Sequence, residues 1–249
     1  MEPWQFVLLA SLLFIVAALY ASVGHGGASG YLAVLSLFAF APREMATTAL
    51  VLNVLVAGMA FSQFRRAGYF RGRLLLSFLA ASVPAAFVGG LVHVPPETYA
   101  LLLAAVLIVS AVRLAWPGLP GVETSSARGP ALRVTLPAGA GIGLLSGVVG
   151  VGGGIFLSPV LLLLKWATVK ETAAVSAAFI VVNSISGLAG RAVSGNWELG
   201  GLLWFVPIAF AGGVLGSYAG AWRLQSLTVR RLLGLVLLLA GVKLVLAVI

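Results

Sequence analysis

The stretches VGHGG at Val23 to Gly27 and VGVGG at Val149 to Gly153, the second extended by Gly154, decide how this chain folds. Each interrupts an otherwise apolar helical run in a chain that is 61% hydrophobic and 8% charged, with a mean hydropathy of +1.13. A soluble globule of 249 residues with that composition would lack the polar surface to stay dissolved. The chain is therefore expected in a bilayer, where a broken helix leaves backbone amides that lipid cannot satisfy. Such breaks are tolerated only when buried in protein or facing a polar cavity. Two matching breaks point to a binding site.

Working outward from them, apolar runs of spanning length lie at 46–64, 74–92, 98–116, 172–190, 199–221 and 228–248. Roughly 20 residues of helix cross about 30 Å of hydrocarbon. The apolar stretch at 6–19 lacks the basic segment and small-residue cleavage pattern of a signal peptide, so it is expected to remain as a helix. With no cysteine there are no disulfides or thiolate metal sites, and two histidines do not make a conventional zinc centre. No cofactor is expected.

The halves repeat. Pro84, Phe87, Gly89 and Gly90 return in order and spacing as Pro207, Phe210, Gly212 and Gly213. Arg43-Glu44 is echoed by Lys170-Glu171, and Asn53, central to one span, by Asn183 in the other copy. An internal duplication follows, with a first transmembrane repeat at 1–116, a Gly/Pro/Ser-rich cytoplasmic linker at 117–133 and a second repeat at 134–249. The fold class is an all-α polytopic membrane protein in which each repeat has three full spans plus a glycine-broken helical hairpin.

If the broken segments, 5–41 and 134–164, each return to the side they left, every half crosses an odd number of times and the second repeat is inverted. Twelve of the 15 basic residues then lie on the cytoplasmic side; Arg43, Arg191 and Lys243 lie outside with both termini. That is a strong positive-inside bias. It also explains why residues 65–73 are rich in arginine while their counterpart, 191–198, has one. The net charge of +9 is spread over loops beside spans, which suits contact with anionic lipid and not nucleic acid. Trp4, Trp116, Trp166, Trp197 and Trp222 near span ends read as an interfacial belt.

After its glycines the first excursion continues through 28–41, about 14 residues or roughly 21 Å of helix, and the second only through 155–164. Neither recrosses the membrane comfortably, so each break is expected within it. The half-helix that begins there offers free N–H groups and a positive dipole end to an anion. Two such ends brought together make an anion site near the midplane, an arrangement known among secondary transporters. The candidate ligand residues are Gly24, His25, Gly26, Gly27, Ala28, Ser29 and Asn53 in the first copy, and Gly150, Gly152, Gly153, Gly154 and Asn183 in the second. His25 could donate to an anion or take up a proton near neutral pH; the second copy has Val151 there. Ser22, Thr48, Ser158 and Ser176 are weaker candidates, because hydroxyls in helices often bond their own backbone. Gly141, Gly143, Gly147, Gly187 and Gly190 read as helix-packing positions.

The paired clusters, Ser158-Pro159 after the second, and the intramembrane Asn53 and Asn183 resemble the sulfite exporter family named for TauE and SafE, over nearly the whole chain. That resemblance implies a bacterial cell-membrane transporter, not an enzyme, moving sulfite or organosulfur anions such as sulfonates, and a homodimer. The first copy departs from the glycine-richer pattern at His25, Ala28 and Ser29. Residues 27–30, GASG, also resemble the GxSG motif of rhomboid proteases. That chemistry needs a histidine base from another helix, and the remaining histidine, His93, falls in a loop. A passive anion channel is the alternative that inverted repeats and helix-end sites equally suit.

Overall fold

A computed structural model describes residues 2–115, 130–222 and 242. The helices are α1 (Pro3–Ala21), α2 (Ala28–Leu37), α3 (Pro42–Arg66), α4 (Gly72–Leu91), α5 (Pro96–Ala115), α6 (Leu132–Val149), α7 (Gly154–Leu163), α8 (Val169–Val193) and α9 (Val206–Trp222). No strand occurs among the described residues. Six helical segments are long and apolar enough to cross a bilayer, making this a multi-pass membrane protein. The expected span at 228–248 and most of the linker lie outside the described residues.

Local chemistry sets the helix starts. Proline opens α1, α3 and α5, where its missing N–H costs nothing. Thr168 and Glu171 close a reciprocal capping box at α8, with Glu171 Oε2 accepting from Thr168 N–H at 2.8 Å. The span expected from residue 199 begins instead as a 3-10 turn, Gly200–Phe205, and becomes α-helical only at Val206. Pro207 suits a first helical turn, where its absent N–H has no bond to make.

The two excursions have one full-length arm and one short return. Helix α1 has 19 residues and α6 has 18, while α2 and α7 each have 10. Gly30 at the start of α2 packs back on Val16 and Tyr20 of α1, so the chain reverses at the break.

Packing crosses between the halves. On α9, Gly212, Gly216 and Gly220 lie against the backbone of Phe14, Ala18 and Ser22 of α1; on α6, Gly139, Gly143 and Gly147 lie against Phe78, Ser82 and Ala86 of α4. Ascending numbers meet ascending numbers at four-residue steps, so α1 runs parallel to α9, and α6 to α4. The duplicated PxxFxGG motif makes equivalent contacts. Gly89 and Gly90 of α4 meet α6 and α8; Gly212 and Gly213 of α9 meet α1 and α3. Gly187 and Gly190 also pack closely, whereas a side chain at Gly141 would meet nothing within 4 Å. Helix α8 packs across α3 between these two seams.

At one end of the bundle Arg71 donates to the Trp166 carbonyl at 2.8 Å and pairs with Glu171 at 3.8 Å, while Lys170 sits over the Tyr69 ring and near the Ala221 carbonyl. The opposite end brings together the start of α3, the α4–α5 connection and the end of α8. Trp4, Trp197 and Trp222 are exposed near helix ends, whereas Trp166, expected in the same belt, is half-buried against Phe78; Trp116 lies outside the described residues.

Candidate anion site at the paired helix breaks

Both breaks need left-handed backbone: Gly24 and Gly27 have φ of +77° and +99°, and Gly150, Gly152 and Gly153 lie between +76° and +87°. Only glycine adopts such angles without penalty, which is why apolar helices stop here. Gly24 rests on Ala173, one turn into α8, and Gly150 rests on Ala46, one turn into α3. From these equivalent positions the chains hook inward and meet at Asn53, halfway along α3.

The Asn53 side chain joins the two breaks. Its Oδ1 accepts from Ala28 N–H at 3.2 Å, and its Nδ2 donates to the Val151 carbonyl at 3.2 Å. Gly26 and Gly152 both lie against it. Asn53 is fully buried, so each bond removes a polar group that would otherwise cost about 1–3 kcal/mol unpaired. At α2, Tyr31 N–H then returns to Gly27; at α7, Phe156 and Leu157 share the Gly153 carbonyl. The amides of Ser29 and Gly30, and of Gly154 and Ile155, belong to first helical turns and so have no partner within their own helix. Buried helix starts left open in this way are suited to an anion.

The second asparagine sits differently. Asn183 Nδ2 donates to the Phe179 carbonyl of its own helix at 2.9 Å, and its Oδ1 is buried without a partner. Next to it Ser184 Oγ is also unpartnered, and Gly152 packs between Asn53, Ile180 and Ser184. Gly153 is covered by Ile142 and Phe179, and Gly154 by Ile180. Two copies of one motif converge where a single amide fits between them, and Asn53 occupies that place.

A polar string leaves the site through His25. Its Nδ1 lies 3.0 Å from the Val23 carbonyl, which can only accept, so the neutral ring carries its proton there. Nε2 then accepts from Ser158 Oγ of α7 at 3.0 Å, and Ser158 lies 3.0 Å from Ser176 Oγ of α8. Ser158 is also 2.9 Å from the Gly154 carbonyl, a second acceptor for its single proton. Ser29 faces away from this string and hydrogen-bonds Tyr20 at 2.9 Å. Tyr31, whose buried hydroxyl has no partner and lies beside Gly27, and Ser184 were not legible as site residues. Their only sequence signal is position: one turn after a break, and next to a central asparagine.

A family model described as sulfite exporter TauE/SafE matches residues 9–244. The chain is 37% identical over 238 residues to the probable membrane transporter protein y4hK of Sinorhizobium fredii (strain NBRC 101917 / NGR234), covering 95% of this chain and 96% of that one. It is 33% identical over 106 residues to the probable membrane transporter protein YunE of Bacillus subtilis (strain 168), covering 42% of this chain and 38% of that one. No solved structure gives a significant match.

Proposed function

The chain belongs to the sulfite exporter TauE/SafE family of membrane transporters, and from that premise we propose that it exports small sulfur-containing anions, sulfite or an organosulfonate, across the cell membrane. One observation carries the reading: Asn53 ties together two buried helix breaks, at each of which a half-helix begins. Amides and a neutral side chain hold an oxyanion without a fixed cation, so binding is weak enough to permit release. The candidate ligands are the break residues 24–29, 150 and 152–154, with Asn53 and Asn183 beside them.

The swapped helix seams support two inverted repeats, 1–116 and 134–249, because each half supplies the partner its copy needs. Both breaks rest on the α3–α8 pair, so rocking one repeat against the other would open the site to alternate sides. In this reading the end carrying Arg71 and Lys170 is cytoplasmic and the termini are outside. Each negative charge leaving a cell that is negative inside gains about 2.3 kcal/mol per 100 mV.

Labelled-sulfite counterflow in proteoliposomes tests this. Saturable exchange is expected from the native protein and is expected to vanish in the Asn53→Ala, Asn183→Ala double variant. A large single-channel conductance without counterflow would replace the carrier by a channel. If folded protein exchanges no sulfite, the assay passes to sulfonates, and failure there too rejects the substrate class.

Proton linkage is expected to run through His25. Protonating Nε2 makes it a donor to Ser158, whose own proton then turns to the Gly154 carbonyl at the start of α7. That adds positive charge beside the breaks, so uptake of a sulfonate, whose own charge is constant, should rise as the medium is acidified. The rise should disappear in His25→Ala. An unchanged pH profile in that variant removes the assignment.

A further inference from the structure

Arg191, in the last turn of α8, is only 5% exposed. Its Nη2 donates to the carbonyls of Gly147 at 3.1 Å and Val148 at 2.7 Å, and its Nε is buried without a partner. The ion pair found among the described residues joins Arg71 and Glu171 at the far end of the bundle, so no described carboxylate lies within ion-pair distance of Arg191. The carbonyl end of α6 offers roughly half a negative charge, which offsets a buried guanidinium only in part.

The same guanidinium lines an open pocket with room of about 40 Å³ for the centres of water molecules, several times what one water needs. Arg43 from α3, His93 from the α4–α5 connection, Tyr99 from α5 and Asn196 after α8 share that lining, and no acidic residue does. The Tyr99 hydroxyl is committed to the Val149 carbonyl at 3.0 Å. Arg43 and His93 are exposed at the mouth; Arg191 and Asn196 are buried at the base.

We propose that this pocket is a second anion site, a vestibule that takes a small oxyanion of sulfate type, with Arg191 as its buried cation and Arg43 as its outer one. A guanidinium serving only to cap α6 would need Nη2 alone. The vestibule adds Arg43 at its mouth, beside which Glu44 and Glu198 come near one another, a buried charge without an ion pair at its base, and space between them. It lies beside the carbonyls that precede Gly150, so an anion held there is next to the second break. The proposal concerns binding at this pocket and stands whether or not the anion goes on to Asn53.

The chain has no cysteine, so His93→Cys places a single thiol in the mouth. In detergent-solubilised full-length protein, an anionic methanethiosulfonate should modify it about tenfold faster than a cationic one, after each is normalised to a free thiol. Sulfate should slow the anionic reagent in a saturable way beyond chloride at matched ionic strength. Arg191→Gln in this background should abolish the sulfate effect, and Arg43→Gln should weaken it severalfold. No sulfate effect in folded His93→Cys protein overturns the proposal, as does an effect undiminished by Arg191→Gln. Because Arg191 also caps α6, its variant could fail to fold; the exposed Arg43→Gln then decides, and undiminished sulfate protection in it overturns the vestibule.

Discussion

Asn53→Ala is expected to reduce labelled-sulfite counterflow by at least about 100-fold while leaving protein that can still be purified. The substitution strands the Ala28 N–H and the Val151 carbonyl together, a loss of roughly 1–3 kcal/mol per buried group. It also lets the two breaks drift apart, and their shared position is what an anion would recognise. Asn53→Asp should be no better, because a carboxylate cannot donate to Val151 and repels the ligand. Asn183→Ala provides the contrast. Its Nδ2 bonds a carbonyl of its own helix and its Oδ1 has no partner, so the variant should lose little thermal stability. Transport lost from a normally stable Asn183→Ala protein would place that amide on the ligand. Counterflow at native rates in Asn53→Ala would sink the proposed site.

The second large effect is structural and is measured by comparing two glycines on opposite faces of α6. Gly143→Val should prevent folding or lower the thermal midpoint severely, since its Cβ would enter the backbone of Ser82 on α4. Overpacking a seam costs about 1–3 kcal/mol when side chains can yield, and backbone yields less. Gly141→Val, where a side chain meets nothing within 4 Å, should be nearly neutral. Size-exclusion profiles and thermal unfolding in detergent would check the pair. Equal behaviour of the two variants would contradict the α4–α6 seam.

Much of this architecture was legible because glycine and repetition are strong local signals. The breaks at 23–27 and 149–154 fall where left-handed backbone is required, and the matched PxxFxGG motifs prove to do matched work. Reading Gly141 with Gly143 and Gly147 as packing positions failed for Gly141, because its face of α6 is a matter of angle around the helix that composition does not carry. Sequence symmetry also could not reveal that Asn53 alone bridges the breaks. Two equivalent amides compete for one gap, and which one fills it depends on the surrounding packing. The sequence places Arg191 only at the outer end of a span. Only the tertiary arrangement puts its guanidinium under the end of α6.

The parallel seams bear on how the protein is made. Helix α1 is made well before α9, yet the glycine stripe that fits it belongs to α9, nearly two hundred residues further on. Helix α4 likewise waits for α6. Until α9 has been made, the nascent chain therefore holds half-built interfaces in lipid, and the first half has no complete partner set of its own. Assembly of this transporter is in that sense a late event at the translocon, and a polypeptide stalled before α9 would leave the α1 face around Phe14 and Ala18 uncovered, a mark of incompleteness that membrane proteases could read.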